Sequence, residues 1–409
     1  DGLEAKVAEL EATQFSTTTK LRADSRWVLG GLVFGGDSPA YNKANNTYGE
    51  DNLRNALSFN YDVRLNFDTS FTGKDLLRTQ LRAGNFADGG FGAKPAQLSQ
   101  LDAGFQQNCG TTPGVDCGDV VAINRLYYKF PVGSNFTVVA GPRVRQDDML
   151  AVWPSVYTSD KILKIFQFAG APGANTQILG AGAGGWWKQS KKGGWSVSAL
   201  YVAGRGDNGT PSAGGIGNGN SLGSGSVQLA YTGSNWNLTG LYTYTNRASS
   251  VNGGYGTPLA KTAYTSFNGS NAFGLSGYWQ PLKSGWVPSI SAGWGISTST
   301  NLEGTYNTST GKDTTAQSWM VGLNWKDAFV KGNALGMAVG QPTFVTGRNY
   351  EGSPADGNYA WEWFYKFQVT DNIAVTPAIF WLSRPQGELT GNGNTFNTFG
   401  YLVQTTFRF

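Results

Sequence analysis

Histidine is missing from the whole chain of 409 residues. Its absence removes imidazole general bases, Ser-His-Asp and Cys-His nucleophile activation, and histidine-ligated metal centres together. Cysteine is nearly missing, with Cys109 and Cys117 alone in a loop-like CGTTPGVDC stretch. Two thiols without histidine are a poor metal site. A local disulfide pinning a surface loop in an oxidising compartment is the expectation, with two reduced loop thiols as the alternative. No apolar run approaches the ~20 residues a membrane helix needs, so any crossing of a bilayer falls to strands. Only 14% of residues are charged and the net charge is +4. With no Lys/Arg run, that balance argues against nucleic acid as a partner. A carboxylate-pair glycosidase needs a locating motif, and none stands out. Neither an enzyme nor a cofactor is expected.

What the chain has instead is alternation. From Leu57 to Phe71 the odd positions read Leu57, Phe59, Tyr61, Val63, Leu65, Phe67, Thr69, Phe71. The even positions read Ser58, Asn60, Asp62, Arg64, Asn66, Asp68, Ser70. Side chains alternate across a strand, so one face is uncharged and apolar while the other is polar. The run is about twice the usual ~5–6-residue strand. It is long enough to cross a bilayer at a tilt, which takes ~9–11 residues. The same pattern recurs through Leu126–Phe130, Trp195–Tyr201, Trp236–Tyr244, Trp319–Trp325 and Tyr359–Phe367, down to the closing Phe399–Phe409. A negative mean hydropathy, −0.30, fits a barrel whose every second residue faces water.

Connections alternate in length. Short turns are expected at Thr72–Lys74, Val132–Asn135, Lys191–Gly194, Gly233–Asn235, Pro281–Gly285, Lys326–Ala328 and Thr370–Asn372. Long polar or glycine-rich loops fall near 30–50, 86–119, 141–175, 206–224, 247–265, 297–315, 340–357 and 384–394. Seven turns and eight loops require sixteen antiparallel strands with both termini on the short-turn, periplasmic side. The expected fold is therefore all-β: a transmembrane antiparallel β-barrel over 15–409, in the bacterial outer membrane with lipid as its first partner. Residues 1–14 carry Leu3, Val7 and Leu10 at heptad-like spacing. They read as a helical or coiled-coil stub, or as a frayed amphipathic terminus.

Two further features carry a resemblance. The stretch TFNTFGYLVQTTFRF alternates aromatics and finishes on Phe409, and resembles the C-terminal strand by which bacterial outer-membrane barrels are recognised for insertion. ALSFNYDVRLNFDTSFTGKDLLRTQLRAGNF and NRLYYKFPVGSNFTVVAGPRV resemble the cyanobacterial outer-membrane porins of the iron-uptake type, related to carbohydrate-selective porins. The likeness runs from Phe15 onward. It implies a homotrimer of sixteen-stranded barrels passing small hydrophilic solutes and inorganic ions. It also implies an S-layer-homology domain that grips peptidoglycan, of which only the stalk stub at Leu3–Leu10 is expected in this stretch.

Parity reads the lumen. Inward positions of the first five strands are Lys20, Arg22, Arg26, Arg64, Arg78, Arg82, Arg125, Lys129, Arg143 and Arg145, against Asp24, Asp62 and Asp68. Later strands present mainly Ser, Thr, Asn, Gly and Gln inward. A basic wall on one side of a low-dielectric channel favours anions and orients polar solutes. The alternative is a wall neutralised by loop carboxylates. The third long loop is the expected constriction: Asp147, Asp148 and Asp160 face the arginines, and Ser159 caps a short helix with Ile162, Ile165 and Phe166 on its apolar side. No Asp/Glu/Tyr cluster has the spacing of an iron site. A non-conducting tether or adhesin is the competing class, since the glycine-rich loop GTPSAGGIGNGNSLGSGS suits surface display.

Overall fold

The computed structural model describes residues 18–38, 56–86, 90–92, 98–107, 117–157, 161–246, 255–265, 267–301, 313–348 and 353–409. The expected stub at 1–14 lies outside them, as does Cys109. Cys117 is disulfide-bonded.

Sixteen strands form one closed barrel. They are β1 Thr19–Gly36, β2 Ser58–Thr69, β3 Leu76–Gly84, β4 Ala122–Val132, β5 Phe136–Arg145 and β6 Leu179–Ser190. Then come β7 Gly193–Ala203, β8 Gly223–Thr232, β9 Trp236–Asn246, β10 Phe267–Trp279 and β11 Ser289–Asn301. The last five are β12 Asp313–Lys326, β13 Ala334–Arg348, β14 Tyr359–Gln368, β15 Ile373–Ser383 and β16 Phe396–Arg408. Each strand pairs antiparallel with its chain neighbours, and β1 closes on β16 in the register Val28↔Gln404. Closure leaves no edge, so the backbone polar groups along the strands find partners within the sheet, as a lipid environment demands. The helix α1, Pro258–Thr265, sits in the loop between β9 and β10.

The burial pattern is inverted relative to a water-soluble sheet. Ser196, Ser198, Gln228, Thr239 and Thr243 are buried, while their neighbours Val197, Val227, Leu229 and Leu238 are 41–53% exposed. Apolar side chains thus form the outer skin and polar ones line the interior, which is the arrangement of a barrel solvated by lipid.

Several strands run into stretches expected as loops, three of them clearly at their C-terminal ends beside β5, which reaches Arg145. β1 continues to Gly36, β11 to Asn301 and β13 to Arg348, inside stretches whose Gly, Ser and Thr content reads as loop. Ladder pairing with a neighbour, which local composition does not report, extends them.

The interior is not empty. Phe86, Phe91, Leu98, Leu101 and Ala103 of the loop after β3 and Ile162, Leu163, Ile165 and Phe166 of the loop after β5 form one cluster with inward Leu32, Phe364, Phe380, Leu382 and Leu402. The expected helix beginning at Ser159 takes another form. Residues 158–160 lie outside the described set, and the chain makes a short 3-10 turn over Lys164–Phe168. Ile162, Ile165 and Phe166 are buried as their apolar character requires.

Candidate functional site

The first wall of the lumen is a lattice of ion pairs set by strand register. Asp68 sits opposite Arg78 across β2 and β3. Arg78 grips it in a two-toothed pair, with Nε to Oδ1 and Nη2 to Oδ2 both at 2.8 Å. Arg64 and Arg82 are also directly opposite, a like-charge contact. Asp62 relieves it, accepting from Arg82 Nε at 2.6 Å and pairing with Arg64 Nη2 at 2.7 Å. Arg26 spans Asp24 at 2.9 Å and Asp102 of the loop after β3 at 2.8 Å. Arg82 also lies 3.9 Å from the centre of the Phe105 ring. Planar guanidinium forks suit such bidentate contacts. The Arg64 and Arg78 side chains keep 23% and 28% of their surface open. Lys20 and Arg22 are exposed at the short-turn end, Lys129 is half-buried, and none of the three has an ion-pair partner among the described residues.

Arg143 does not join this wall. A bulge between Gly141 and Val144 breaks the two-residue period of β5. Val144 therefore joins the interior cluster, while Arg143 falls in register with Leu126, in the outward series. Arg145, at the strand end, stays with the loop. It pairs with Asp147 at 2.5 Å, beside Arg125, which pairs with Asp148 at 2.8 Å. The expected acids of the third loop thus touch the arginines directly instead of facing them across a gap. Burial would raise the Asp147 carboxyl, but Arg145, Arg125 and a backbone hydrogen bond together outweigh it and hold the group below the usual carboxylate range. Asp160 and Ser159 lie outside the described residues.

The far wall is where the third loop, 146–178, is moored. Its backbone is held by inward side chains of successive strands. Ala151 N donates to Ser198 Oγ at 2.8 Å, and Val156 N and Tyr157 N both donate to Ser291 Oγ at 2.9 Å. The Ala169, Gly170 and Ala174 carbonyls accept from Ser276, Ser318 and Thr243 at 2.7–2.8 Å. Inward glycines provide the shelf. A Cβ on Gly293 would collide with the Ala169 carbonyl, and one on Gly170, at φ +77°, with Gly293 itself. Gly295 lies under Ala171 and Gly322 under Tyr157.

One buried carboxylate ends the mooring. Glu362 of β14 accepts from Tyr157 Oη at 2.8 Å, Ile162 N at 3.2 Å and Leu163 N at 2.6 Å. Next to it a bridge between Leu101 and Leu163 ties the two inner loops together. Lys161 reaches Asp102 at 3.8 Å, so one aspartate links both loops to Arg26 of β1. Burial would raise Asp102, but Lys161, Arg26 and Arg64 outweigh it and hold the carboxyl far below its ordinary value. Sequence reading missed Glu362 and the glycine shelf. The available signal was the set of glycines at inward positions of β10–β12, where a strand gains nothing from losing its side chain unless another backbone must come close.

A closed sixteen-stranded barrel with an apolar outer skin, a charged lumen wall and an inward-folded loop defines an outer-membrane porin. The chain belongs to the carbohydrate-selective porin, OprB family, whose pattern matches residues 1–409. It is a channel-forming protein of the bacterial outer membrane, and family and fold are those of non-enzymatic pores. An uncharacterized protein of a Nostoc species is 28% identical over 437 residues, covering 100% of this chain and 68% of the relative. A second uncharacterized relative, from Synechocystis, is 27% identical and covers 100% of this chain and 72% of its own length. Among solved structures, Pseudomonas putida OprB at high pH superposes with a TM-score of 0.62 at 12% identity, covering 100% of this chain and 97% of that one. The anion-selective porin of Comamonas acidovorans gives 0.52 at 11% identity over 96% of this chain and 100% of the other.

Proposed function

We propose that this barrel passes small hydrophilic solutes and inorganic ions by diffusion, through a passage between the arginine wall of β1–β5 and the third loop. The observation that carries the reading is the contrast between the two sides. Arg64, Arg78 and Arg145 side chains stay 23–28% open to water, whereas Ser276, Ser291, Ser318 and Glu362 on the far wall, beneath the loop, are left 4% exposed or less. Water and solute then have the ion-pair lattice as their wall. Fixed donor–acceptor pairs of guanidinium and carboxylate suit the hydroxyls of sugars as well as small anions. Among the described residues no group of three or more His, Cys, Asp or Glu is placed to hold a metal. Iron species are accordingly proposed to pass as hydrated or anionic complexes, without a binding site. A homotrimer is part of the proposal, supported by Vibrio cholerae OmpT, solved in a trimer form and similar in fold at a TM-score of 0.52.

Planar-bilayer recording with liposome swelling tests this. Stepwise conductance and swelling rates that fall with sugar size are expected. The apolar filling of the lumen favours one rival, a non-conducting tether, and a protein that inserts but shows no current steps would establish it.

A further inference from the structure

On the outer face of β9–β12 lies a groove of about 590 Å³, lined almost wholly by apolar surface. Its floor is Gly277 and Ala292, outward positions where the neighbouring strands carry large side chains, and its sides include Leu275, Trp279, Trp294 and Trp319. At the short-turn end of this groove the β10–β11 connection projects Leu282 and Trp286, 83% and 87% exposed. The Trp286 backbone is tied to the outer skin, its carbonyl accepting from Trp325 Nε1 at 2.8 Å, while its exposed ring meets Phe329 edge-on at 6.4 Å. Phe329, 78% exposed, sits in the adjoining β12–β13 turn. Lys283, Lys326 and Lys331 stand exposed around these rings. The acid of the cluster, Asp327, accepts from Gly332 N at 2.8 Å and from Ser284, and also feels Lys331 and Lys326, so Lys283 is the lysine it leaves uncompensated and Lys326 is shared.

We propose that this arc is a binding site for an anionic glycerophospholipid of the periplasmic leaflet. One acyl chain fills the groove over Gly277 and Ala292, the glycerol esters lie against Trp286, and Lys283 and Lys326 hold the phosphate. The occupant follows from continuity and charge. The groove is a dent in the lipid-facing skin, so hydrocarbon is what meets it. Amphipathic indoles belong at the headgroup level, and lysines at that level attract anionic lipid. The inference goes beyond solute passage and does not depend on which solutes pass.

The test is native mass spectrometry of the full chain in detergent, titrated with phosphatidylglycerol or phosphatidylcholine. Phosphatidylglycerol is expected to be retained about thirtyfold more strongly, the order expected from two lysines at an anionic headgroup. Lys283→Gln with Lys326→Gln should reduce it to the phosphatidylcholine level. Ala292→Phe, which fills the groove from outside the lumen, should weaken both lipids while single-channel conductance stays unchanged. Equal retention of the two lipids by the wild type, or undiminished phosphatidylglycerol retention by the lysine variant, overturns the proposal. A change of oligomeric state in Ala292→Phe overturns it too, assigning the groove to a protein contact. Lys283 lies in an exposed turn and Lys326 is the exposed last residue of β12, so neither change removes a buried contact, which keeps the question decidable if the groove variant does not insert.

Discussion

At the scale of single residues, Asp102 is the charge on which most depends. It is 8% exposed, carries Arg26 and Lys161, and joins two loops to β1. Removing one partner of a buried charge group costs up to about 3–5 kcal/mol, here by leaving Lys161 without its acid while Arg26 keeps only Asp24. Asp102→Ala is therefore expected to lower the unfolding free energy of the barrel by an amount of that order, seen as a lower urea midpoint in the heat-modifiable gel band. The pH dependence has a definite sign. A carboxyl held low in the folded state contributes its stability above its unfolded pKa of ~3.9 and loses it as pH falls further. Loop-derived current noise should thus be flat from pH 7 to about 5 and rise below pH 4. In Asp102→Asn the acid-dependent rise should shrink; an unchanged acid profile would remove Asp102 from the account.

At the scale of the element, the third loop is held by many weak contacts and one strong node. Glu362→Ala would leave Ile162 N, Leu163 N and Tyr157 Oη without their acceptor. At about 1 kcal/mol each, the closed loop loses about 3 kcal/mol, or about a hundredfold in its opening equilibrium. Tryptic cleavage after Lys161 and Lys164 should accelerate accordingly, with the barrel still heat-modifiable. Gly293→Leu attacks the same loop from the shelf side. Its Cβ would occupy the place of the Ala169 carbonyl, so the loop must rise from β10–β12 and the unitary conductance must change. Conductance equal to wild type would mean that the loop does not bound the passage.

These elements also mark where the sequence could be read. Strand existence, parity and turn rhythm were legible from Leu57–Phe71 and its repeats, because lipid on one side and water on the other impose a two-residue period on each strand. Arg64, Arg78, Arg82 and Arg125 kept that period and meet the acids Asp62, Asp68 and Asp148. Arg143 did not, because one bulge resets the period and leaves no compositional trace. Glu362 was illegible, and Gly293 carried only the hint of an inward glycine, for a different reason. Their roles come from a loop far along the chain folding back onto them, as the 200 residues separating Glu362 from Ile162 make plain.

At the scale of the whole molecule, the question is how strongly the lumen prefers anions. Much of the positive charge is compensated within the wall by Asp24, Asp62, Asp68, Asp147 and Asp148, so the field a passing ion meets is the remainder. Arg22 is exposed with no ion-pair partner among the described residues, Arg78 is locked to Asp68, and Arg143 belongs to the outward register. Three neutral variants then separate cleanly. Arg22→Gln is expected to shift the zero-current potential toward cations with no loss of stability. Arg78→Gln should shift it similarly and also destabilise the barrel, because Asp68 is left 10% exposed without its partner. Arg143→Gln should leave ion preference unmoved. Each shift should be present at 0.1 M salt and nearly gone at 1 M, as the screening length falls from about 10 Å to about 3 Å. A selectivity change in Arg143→Gln equal to that of Arg22→Gln would place Arg143 in the lumen after all and restore strict alternation through β5.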